Sequence, residues 1–162
     1  MQSATLRGRR GVPYARALPV RVPGWRLVFD KPPLIAVGNG FANIVPDASA
    51  ETFGVAFEMS EADLEHVELT EGVRIGNYAS VEVEAWSLGA EPVALRARSL
   101  SSAQRDAGLL PSRRYMALLI EGAVEHGLPA AYVAALRAVP AVEEDAAAAA
   151  LRPFIDAAMR RG

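Results

Sequence analysis

The stretch SEADLEHVELTEGVRIGNYASVEVEA, residues 60–85, predicts one helix and one strand with clear limits. Ser60 is a favourable N-cap residue, and Asp63 three residues later is a shortened form of the capping box, which usually has Glu or Gln there. Gly72 is expected to end the helix, because glycine readily adopts the left-handed conformation of a helix C-terminus. The helix would bury an apolar stripe formed by Leu64, Val67 and Leu69.

The second part of this stretch predicts a strand, and further strands are expected before it and after it. Residues 78–85 alternate between a largely polar face and a face of small and β-branched side chains. Residues 52–59 are rich in aromatic and β-branched residues, which is typical of a strand. Other extended segments are expected at residues 17–22, 25–29, 41–45 and 93–100.

Proline, glycine and turn-forming residues interrupt the N-terminal strand region. Pro19, Pro23 and Gly24 argue against one continuous strand there, because proline removes a backbone donor from a sheet. Residues 47–49, Asp-Ala-Ser, predict a turn before the strand at residues 52–59. This region is therefore expected to consist of several short strands.

Helices are predicted to predominate after Pro111. Ser112 is an N-cap candidate, Gly127 suits the end of a helix, and Pro153 is expected to begin a final helix or to kink the preceding one. Because strands come first and helices follow, the order favours an α+β fold over a doubly wound α/β sheet. The expected helices cover residues 113–126, 130–139 and 141–151.

Composition restricts the class of protein and the kinds of site. The chain has 162 residues and a formal net charge of −2, which suits a single domain over residues 1–162. It contains no cysteine and two histidines, which excludes thiolate zinc sites, iron–sulfur clusters, cysteine nucleophiles and multi-histidine metal centres. The chain has no run of about 18 apolar residues, so no membrane span is predicted. We therefore expect a soluble, cytoplasmic protein with no membrane partner.

The N-terminal part of the chain is basic. Residues 1–31 carry six arginines and Lys31, the only lysine of the chain, against Asp30. This pattern predicts either a nucleic-acid-binding arm or a basic surface that pairs with the acidic middle of the same fold. We favour the second interpretation, because the net charge is slightly negative, and expect no nucleic-acid partner.

Glu71 is the strongest candidate for a catalytic side chain. It lies at the C-terminal end of the helix that begins after Ser60, directly before Gly72. The negative end of the helix dipole and the nearby carboxylate of Glu68 both disfavour its charged form. A partly buried carboxylate in such a position suits a general acid or base. A solvated glutamate at a frayed helix end is the alternative.

Other polar motifs carry less functional information. Gly38-Asn39-Gly40 lacks the third glycine of a phosphate-binding loop, and no helix is expected after it, so a turn between strands explains it better. His66 lies on an acidic helix and His126 near a helix C-terminus, and neither position requires a functional explanation.

Several segments in order resemble a known family. They are PGWRLVF (residues 23–29), FANIVP (41–46), FGVAF (53–57), LTEGV (69–73), GNY (76–78), Pro111-Ser112 through Tyr115, Glu121-Gly122-Ala123, Gly127-Leu128-Pro129 and Tyr132. Together they cover about residues 20–140, and this ordered set resembles the γ-glutamylcyclotransferase-like superfamily.

The resemblance implies a compact, barrel-like mixed sheet surrounded by helices, and a cofactor-independent enzyme. Members of that family cleave a γ-glutamyl amide and release 5-oxoproline with an amine or amino acid. The glutamate before the Gly-Val pair is their acid/base, and it aligns with Glu71. Tyr78 matches the tyrosine after the following turn and could orient substrate or glutamate, or pack in the core. Tyr115 lies in a matching motif and is a second substrate-binding candidate, with packing in the core as the favoured alternative.

The chain departs from the family pattern in two places. It lacks the first strand and the Tyr-Gly-Ser-Asn loop whose backbone amides hold the substrate, and Val67-Glu68 replaces the Leu-Asp pair that often precedes the glutamate. Two explanations compete: the true start lies upstream and Met1 is an internal methionine, or the chain is a shortened relative that has lost catalysis or only binds a small ligand. The leaving group stays open, and an unpaired sheet edge would favour a homodimer.

Overall fold

The computed structural model describes residues 3–34 and 38–160, which form one antiparallel sheet with helices packed around it. The strands lie in the order β2-β1-β3-β4, and the three pairings between them are antiparallel. The α+β fold class predicted from the sequence is confirmed. The elements are β1 (Arg16–Lys31), β2 (Phe41–Glu58), α1 (Glu61–Thr70), β3 (Ala79–Ser87), β4 (Ala94–Ser101), α2 (Arg113–Glu125), α3 (Ala130–Ala138) and α4 (Ala146–Met159), with a π-helix at Ala4–Arg9 and a 3-10 helix at Val73–Ile75.

β1 is one continuous strand, so the predicted break in this region is wrong. Gly24, with a φ of 77°, lies at a register shift in the ladder with β2, and the chain bends there without leaving the sheet. β1 pairs with β3 only at Val20 and Arg21, so much of its second edge requires no backbone donor. Pro19 and Pro23 are tolerated for this reason.

β2 is also continuous, and it contains the turn predicted at residues 47–49. Residues 47–50 are skipped in the register with β1 and bulge out between two paired sections. The Asp47 carboxylate accepts a hydrogen bond from the backbone N–H of Ser49 across 2.9 Å. The turn chemistry is therefore present, but it produces a bulge within one strand and does not divide two strands.

α1 begins and ends where the sequence predicts. The backbone N–H of Asp63 donates to Oγ of Ser60 across 3.2 Å, which satisfies an otherwise unpaired donor of the first turn. Gly72 follows the helix with a φ of 73°, and a Cβ at this position would lie 2.9 Å from Cβ of Asn77. Only glycine fits this turn without strain. The turn fixes where the chain leaves α1 and where Asn77 packs beneath it.

The C-terminal helices complete the core on one side of the sheet. The Ser112 hydroxyl caps α2 by accepting from the N–H of Tyr115 across 3.1 Å, as predicted. The last helix begins at Ala146, not at residue 141, because the Asp145 carboxylate caps it by accepting from the N–H of Ala148 across 3.0 Å. It then runs through Pro153. Within the described ranges, no helix is long and apolar enough to cross a membrane.

A largely apolar cavity of about 640 Å³ is lined by residues from all four strands of the sheet. Leu64 and Val67 of α1 form part of its wall, together with Leu119 of α2. Leu69 was expected to extend the stripe of α1, but its side chain is 53% exposed. The stripe is shorter than predicted, because α1 lines the cavity through Leu64, Val67 and Glu68 and not through Leu69.

Candidate active site

Glu71 is the C-cap residue of α1, at the position that the sequence predicts. Its backbone N–H donates to the carbonyl oxygen of Val67 across 2.9 Å. Its side chain is 19% exposed and forms an ion pair with Nη2 of Arg10. An arginine from a distant part of the chain therefore offsets the unfavourable dipole at this end of the helix.

Arg10 reaches Glu71 from the segment that follows the π-helix Ala4–Arg9. Its backbone N–H donates to the carbonyl oxygen of Thr5 across 3.1 Å, and its side chain is only 14% exposed. Nη1 of the guanidinium is buried and has no hydrogen-bond partner among residues 3–34 and 38–160. A buried donor without a partner is uncommon in folded proteins. A small cavity of about 50 Å³ beside it is lined by Thr5, Arg10, Asp156 and Met159.

Lys31 and Asn77 form a buried polar connection to the main chain of Glu71. Nζ of Lys31, a residue that is 1% exposed, donates to Oδ1 of Asn77 across 2.7 Å and also to the carbonyl oxygen of Pro32. Nδ2 of Asn77 donates to the carbonyl oxygen of Glu71 across 2.8 Å. Burial lowers the pKa of Lys31 below its ordinary value of 10.5, and the negative charge of Glu71 partly opposes this shift.

Tyr78 and Tyr115 hold the two polar groups of one backbone residue. The Tyr78 hydroxyl donates to the carbonyl oxygen of Ala42 across 3.1 Å, and the N–H of Ala42 donates to the Tyr115 oxygen across 3.3 Å. Burial raises the pKa of Tyr78 well above its ordinary value. Burial also raises the pKa of Tyr115 to about 12, against the opposing effect of its hydrogen bond with Ala42. Both phenols are therefore protonated near neutral pH.

These side chains form one electrostatic cluster. The charge of Glu71 acts on Lys31, Tyr78 and Tyr115, in addition to its direct pairing with Arg10. The cluster thus contains one carboxylate, two cations and two neutral hydroxyls, which can exchange a proton and bind an anion. Among the described residues, no group of three or more His, Cys, Asp or Glu could hold a metal ion.

Glu71, Tyr78 and Tyr115 were predicted from the sequence as site residues, and the structure brings all three together. Arg10, Lys31 and Asn77 were not predicted as members of the site. Lys31 had one usable signal, since it is the only lysine and lies between a strand and two prolines. Arg10 had none, because it was one of several arginines in a basic segment. Asn77 was part of the GNY motif but had no assigned role.

The remaining polar motifs have local structural roles. Asn39 of the Gly38-Asn39-Gly40 turn donates to the carbonyl oxygen of Glu143 across 3.2 Å and accepts from the N–H of Asp145 across 2.9 Å. The turn therefore holds the loop that leads into α4. Nε2 of His66 lies 3.1 Å from the carbonyl oxygen of Met159, the last residue of α4.

The large cavity meets the cluster at Ala42. Ala42 lines the cavity. Its carbonyl oxygen accepts from Tyr78, and its N–H donates to Tyr115. Val67 and Glu68, in the last turns of α1 before Glu71, also line it. Glu71 itself is not part of the cavity wall. Tyr78 and Tyr115 do not line it either, so the cavity reaches the cluster through Ala42, the backbone residue to which both tyrosines bind.

Comparison with known proteins identifies the relatives of this region. A model of the AIG2-like family matches residues 51–136, which include Glu71, Asn77, Tyr78 and Tyr115 but not Arg10 or Lys31. The γ-glutamylcyclotransferase of Homo sapiens is 28% identical over 101 residues, and that of Bos taurus is 27% identical. These matches cover 62% of this chain and 52% of each relative, so the chain spans about half the length of the curated relatives.

Two solved structures have the same fold. A γ-glutamyl cyclotransferase aligns with a TM-score of 0.76 and 23% identity, covering 87% of this chain and 83% of that chain. An uncharacterized protein from Homo sapiens aligns with a TM-score of 0.71 and 25% identity, covering 85% of this chain and 80% of the other. The likeness extends beyond the segment that the family model matches.

Proposed function

The chain belongs to the AIG2-like family and to the γ-glutamylcyclotransferase-like superfamily, and from that premise we propose that it is a γ-glutamyl cyclotransferase-type enzyme. The observation that carries this proposal is the position of Glu71, a partly buried carboxylate with two cations and two protonated tyrosines around it. The substrate is a γ-glutamyl amide, and the products are 5-oxoproline and a free amine or amino acid.

Glu71 acts as the acid/base of this reaction. The substrate α-amine, as the free base, attacks the γ-carbonyl carbon and forms the new C–N bond of a five-membered ring. Glu71 accepts the proton that the attacking nitrogen loses. It then returns this proton to the leaving nitrogen as the original amide C–N bond breaks. Because nucleophile and electrophile belong to one molecule, holding the substrate folded lowers much of the entropic barrier.

Tyr115 is suited to stabilise the oxyanion that forms on the γ-carbonyl oxygen. Its phenolic oxygen already accepts from the N–H of Ala42, and its own O–H has no acceptor among the residues that the structure describes. A protonated phenol in a largely buried position donates strongly to a developing negative charge. Tyr78 is a positioning residue, because its O–H already donates a hydrogen bond to the carbonyl oxygen of Ala42.

A second candidate function is a binding module that holds a γ-glutamyl or similar small ligand without turnover. One observation favours it: the Glu71 carboxylate is paired with Arg10 and does not line the large cavity. In this alternative the ion pair is permanent, and the cavity beside Ala42 holds the ligand.

Product analysis separates the two functions. The chain is incubated with a panel of γ-glutamyl amino acids, γ-glutamyl amines and glutathione, and 5-oxoproline and glutamate are measured by mass spectrometry. The enzyme proposal expects 5-oxoproline, without glutamate, from at least one compound, and that compound names the leaving group. A panel compound that shifts the melting temperature of the folded chain but releases nothing would support the binding module and contradict the enzyme.

A further inference from the structure

The ion pair with Glu71 leaves part of the hydrogen-bonding capacity of Arg10 unused. A guanidinium presents its donors in a fixed fork that matches the two oxygens of a carboxylate. Here Oε1 of Glu71 contacts Nη2, while the neighbouring Nη1 is buried without a partner among the described residues. The fork is therefore built to accept a carboxylate more completely than Glu71 does.

We propose that Arg10 recognises the α-carboxylate of the substrate, and that this carboxylate replaces Glu71 on the guanidinium when substrate binds. This inference rests on the proposed function, since it assigns a specificity residue for the same site. The substrate class is thereby narrowed to γ-glutamyl compounds whose α-carboxylate is free. The corresponding α-carboxamides are rejected, because a neutral amide cannot compete with the Glu71 carboxylate for the guanidinium of Arg10.

The exchange also explains how Glu71 becomes available for proton transfer. In the structure its carboxylate forms an ion pair with Arg10. In a γ-glutamyl substrate the α-carboxylate and the α-amine are attached to the same carbon. A carboxylate bound at Arg10 therefore brings the amine next to the released Glu71, which is the group that has to accept its proton. Only a substrate with both groups would activate the site.

Arg10 is better suited to this role than Lys31, the other cation of the cluster. Nζ of Lys31 already donates to Asn77 and Pro32 and is almost fully enclosed. The small cavity beside Arg10 measures about 50 Å³, which is less than a γ-glutamyl group occupies. We therefore place the ligand carboxylate on the Glu71 side of the guanidinium.

Binding of 5-oxoproline, which retains the α-carboxylate, and of its neutral carboxamide tests the inference by calorimetry. We expect the folded chain to bind the acid at least about tenfold more tightly than the amide, as for a charge-assisted hydrogen bond. Arg10→Met should remove this preference, and Arg7→Met, which deletes a charge from the same segment, should keep it. Glu71→Gln should bind the acid more tightly than the parent chain does, because no carboxylate then competes for Arg10.

The results also separate this inference from the proposed function. For Glu71→Gln we expect a gain of affinity for 5-oxoproline, which a folding defect cannot produce. A poorly folded Arg10→Met protein therefore does not decide the outcome. Equal binding of acid and amide, no binding of either, or unchanged acid binding in Glu71→Gln would overturn the role of Arg10. If 5-oxoproline is released by the parent chain but Arg10→Met keeps the preference for a free α-carboxylate, this inference fails and the enzyme stands. Arg10-dependent binding of the acid without release of 5-oxoproline would mean that this inference holds and that the proposed enzyme function fails.

Discussion

The ammonium group of Lys31 lies 2.7 Å from Oδ1 of Asn77, and both side chains are almost completely buried. The amide nitrogen of the same asparagine lies 2.8 Å from the carbonyl oxygen of Glu71. This connection joins the end of β1 to the end of α1. It fixes the backbone that carries the carboxylate, while Arg10 holds the carboxylate itself.

Lys31→Met should destabilise the fold through Asn77. Methionine fills a similar volume but leaves Oδ1 of Asn77 buried without its donor, which costs about 1–3 kcal/mol in the free energy of unfolding. Urea denaturation measures this change. Arg16→Met is the matched control, because Arg16 lies on the same strand, is 68% exposed and pairs loosely with Glu58 at 3.5 Å. Its effect should stay below about 1 kcal/mol. Equal stability of the two variants would contradict the role of Lys31.

The buried hydroxyl of Tyr115 should make the fold sensitive to alkaline pH. The pKa of Tyr115 is about 12 in the folded chain against 10.0 ordinarily, so between these values the unfolded state binds fewer protons. The free energy of unfolding therefore falls as the pH rises from about 10 to about 12. We expect a shallower fall for Tyr115→Phe in denaturation curves over this range.

Three other groups affect the same experiment. Tyr78 and Tyr132 also have raised pKa values, so Tyr115→Phe should remove only part of the alkaline loss. Lys31, with its lowered pKa, contributes in the opposite direction up to pH 10.5. Its contribution is common to both proteins and cancels in their difference. Parallel curves for the parent and the variant would show that Tyr115 titrates alike in folded and unfolded chains.

Substitution of two glycines by alanine should change the stability of the fold in opposite directions. Gly72 has a φ of 73°, and a Cβ there would approach Asn77 to 2.9 Å, so Gly72→Ala should destabilise by about 1 kcal/mol or more. Gly54 lies within β2, and a Cβ there would meet nothing within 4 Å. Gly54→Ala should stabilise by about 0.5–1 kcal/mol, because alanine loses less entropy on folding. Thermal denaturation checks both, and changes of the same sign would contradict the assignment.

Local chemistry explains which features were predictable from the sequence. Ser60 and Gly72 act on groups only a few residues away, so the limits of α1 and the position of Glu71 followed from the sequence. Tyr78 and Tyr115 were found through the family resemblance, since neither a strand tyrosine nor a helix tyrosine is informative alone. Their common hydrogen-bond partner, Ala42, became visible only in the structure.

Arg10 and Lys31, which were not predicted as site residues, contact partners that are far away in the sequence. Arg10 meets Glu71 only because the N-terminal segment packs against the end of α1, and no local pattern distinguishes it from its neighbouring arginines. Lys31 is buried because the end of β1 passes beneath the turn that contains Asn77. The same limit applies to β1 itself. Its prolines predicted a break, whereas the sheet accommodates them through a register shift at Gly24.

The most direct test of the account is the rate of 5-oxoproline formation by Glu71→Gln, measured with the γ-glutamyl compound that the parent chain converts best. Glu65→Gln is the matched control, because Glu65 is an exposed glutamate on the same helix. We expect Glu71→Gln to lose at least about a hundredfold in kcat, the range of general acid–base catalysis, and Glu65→Gln to retain the parent rate. Similar rates for Glu71→Gln and the parent chain, with both proteins folded, would contradict the assignment of Glu71 as the acid/base.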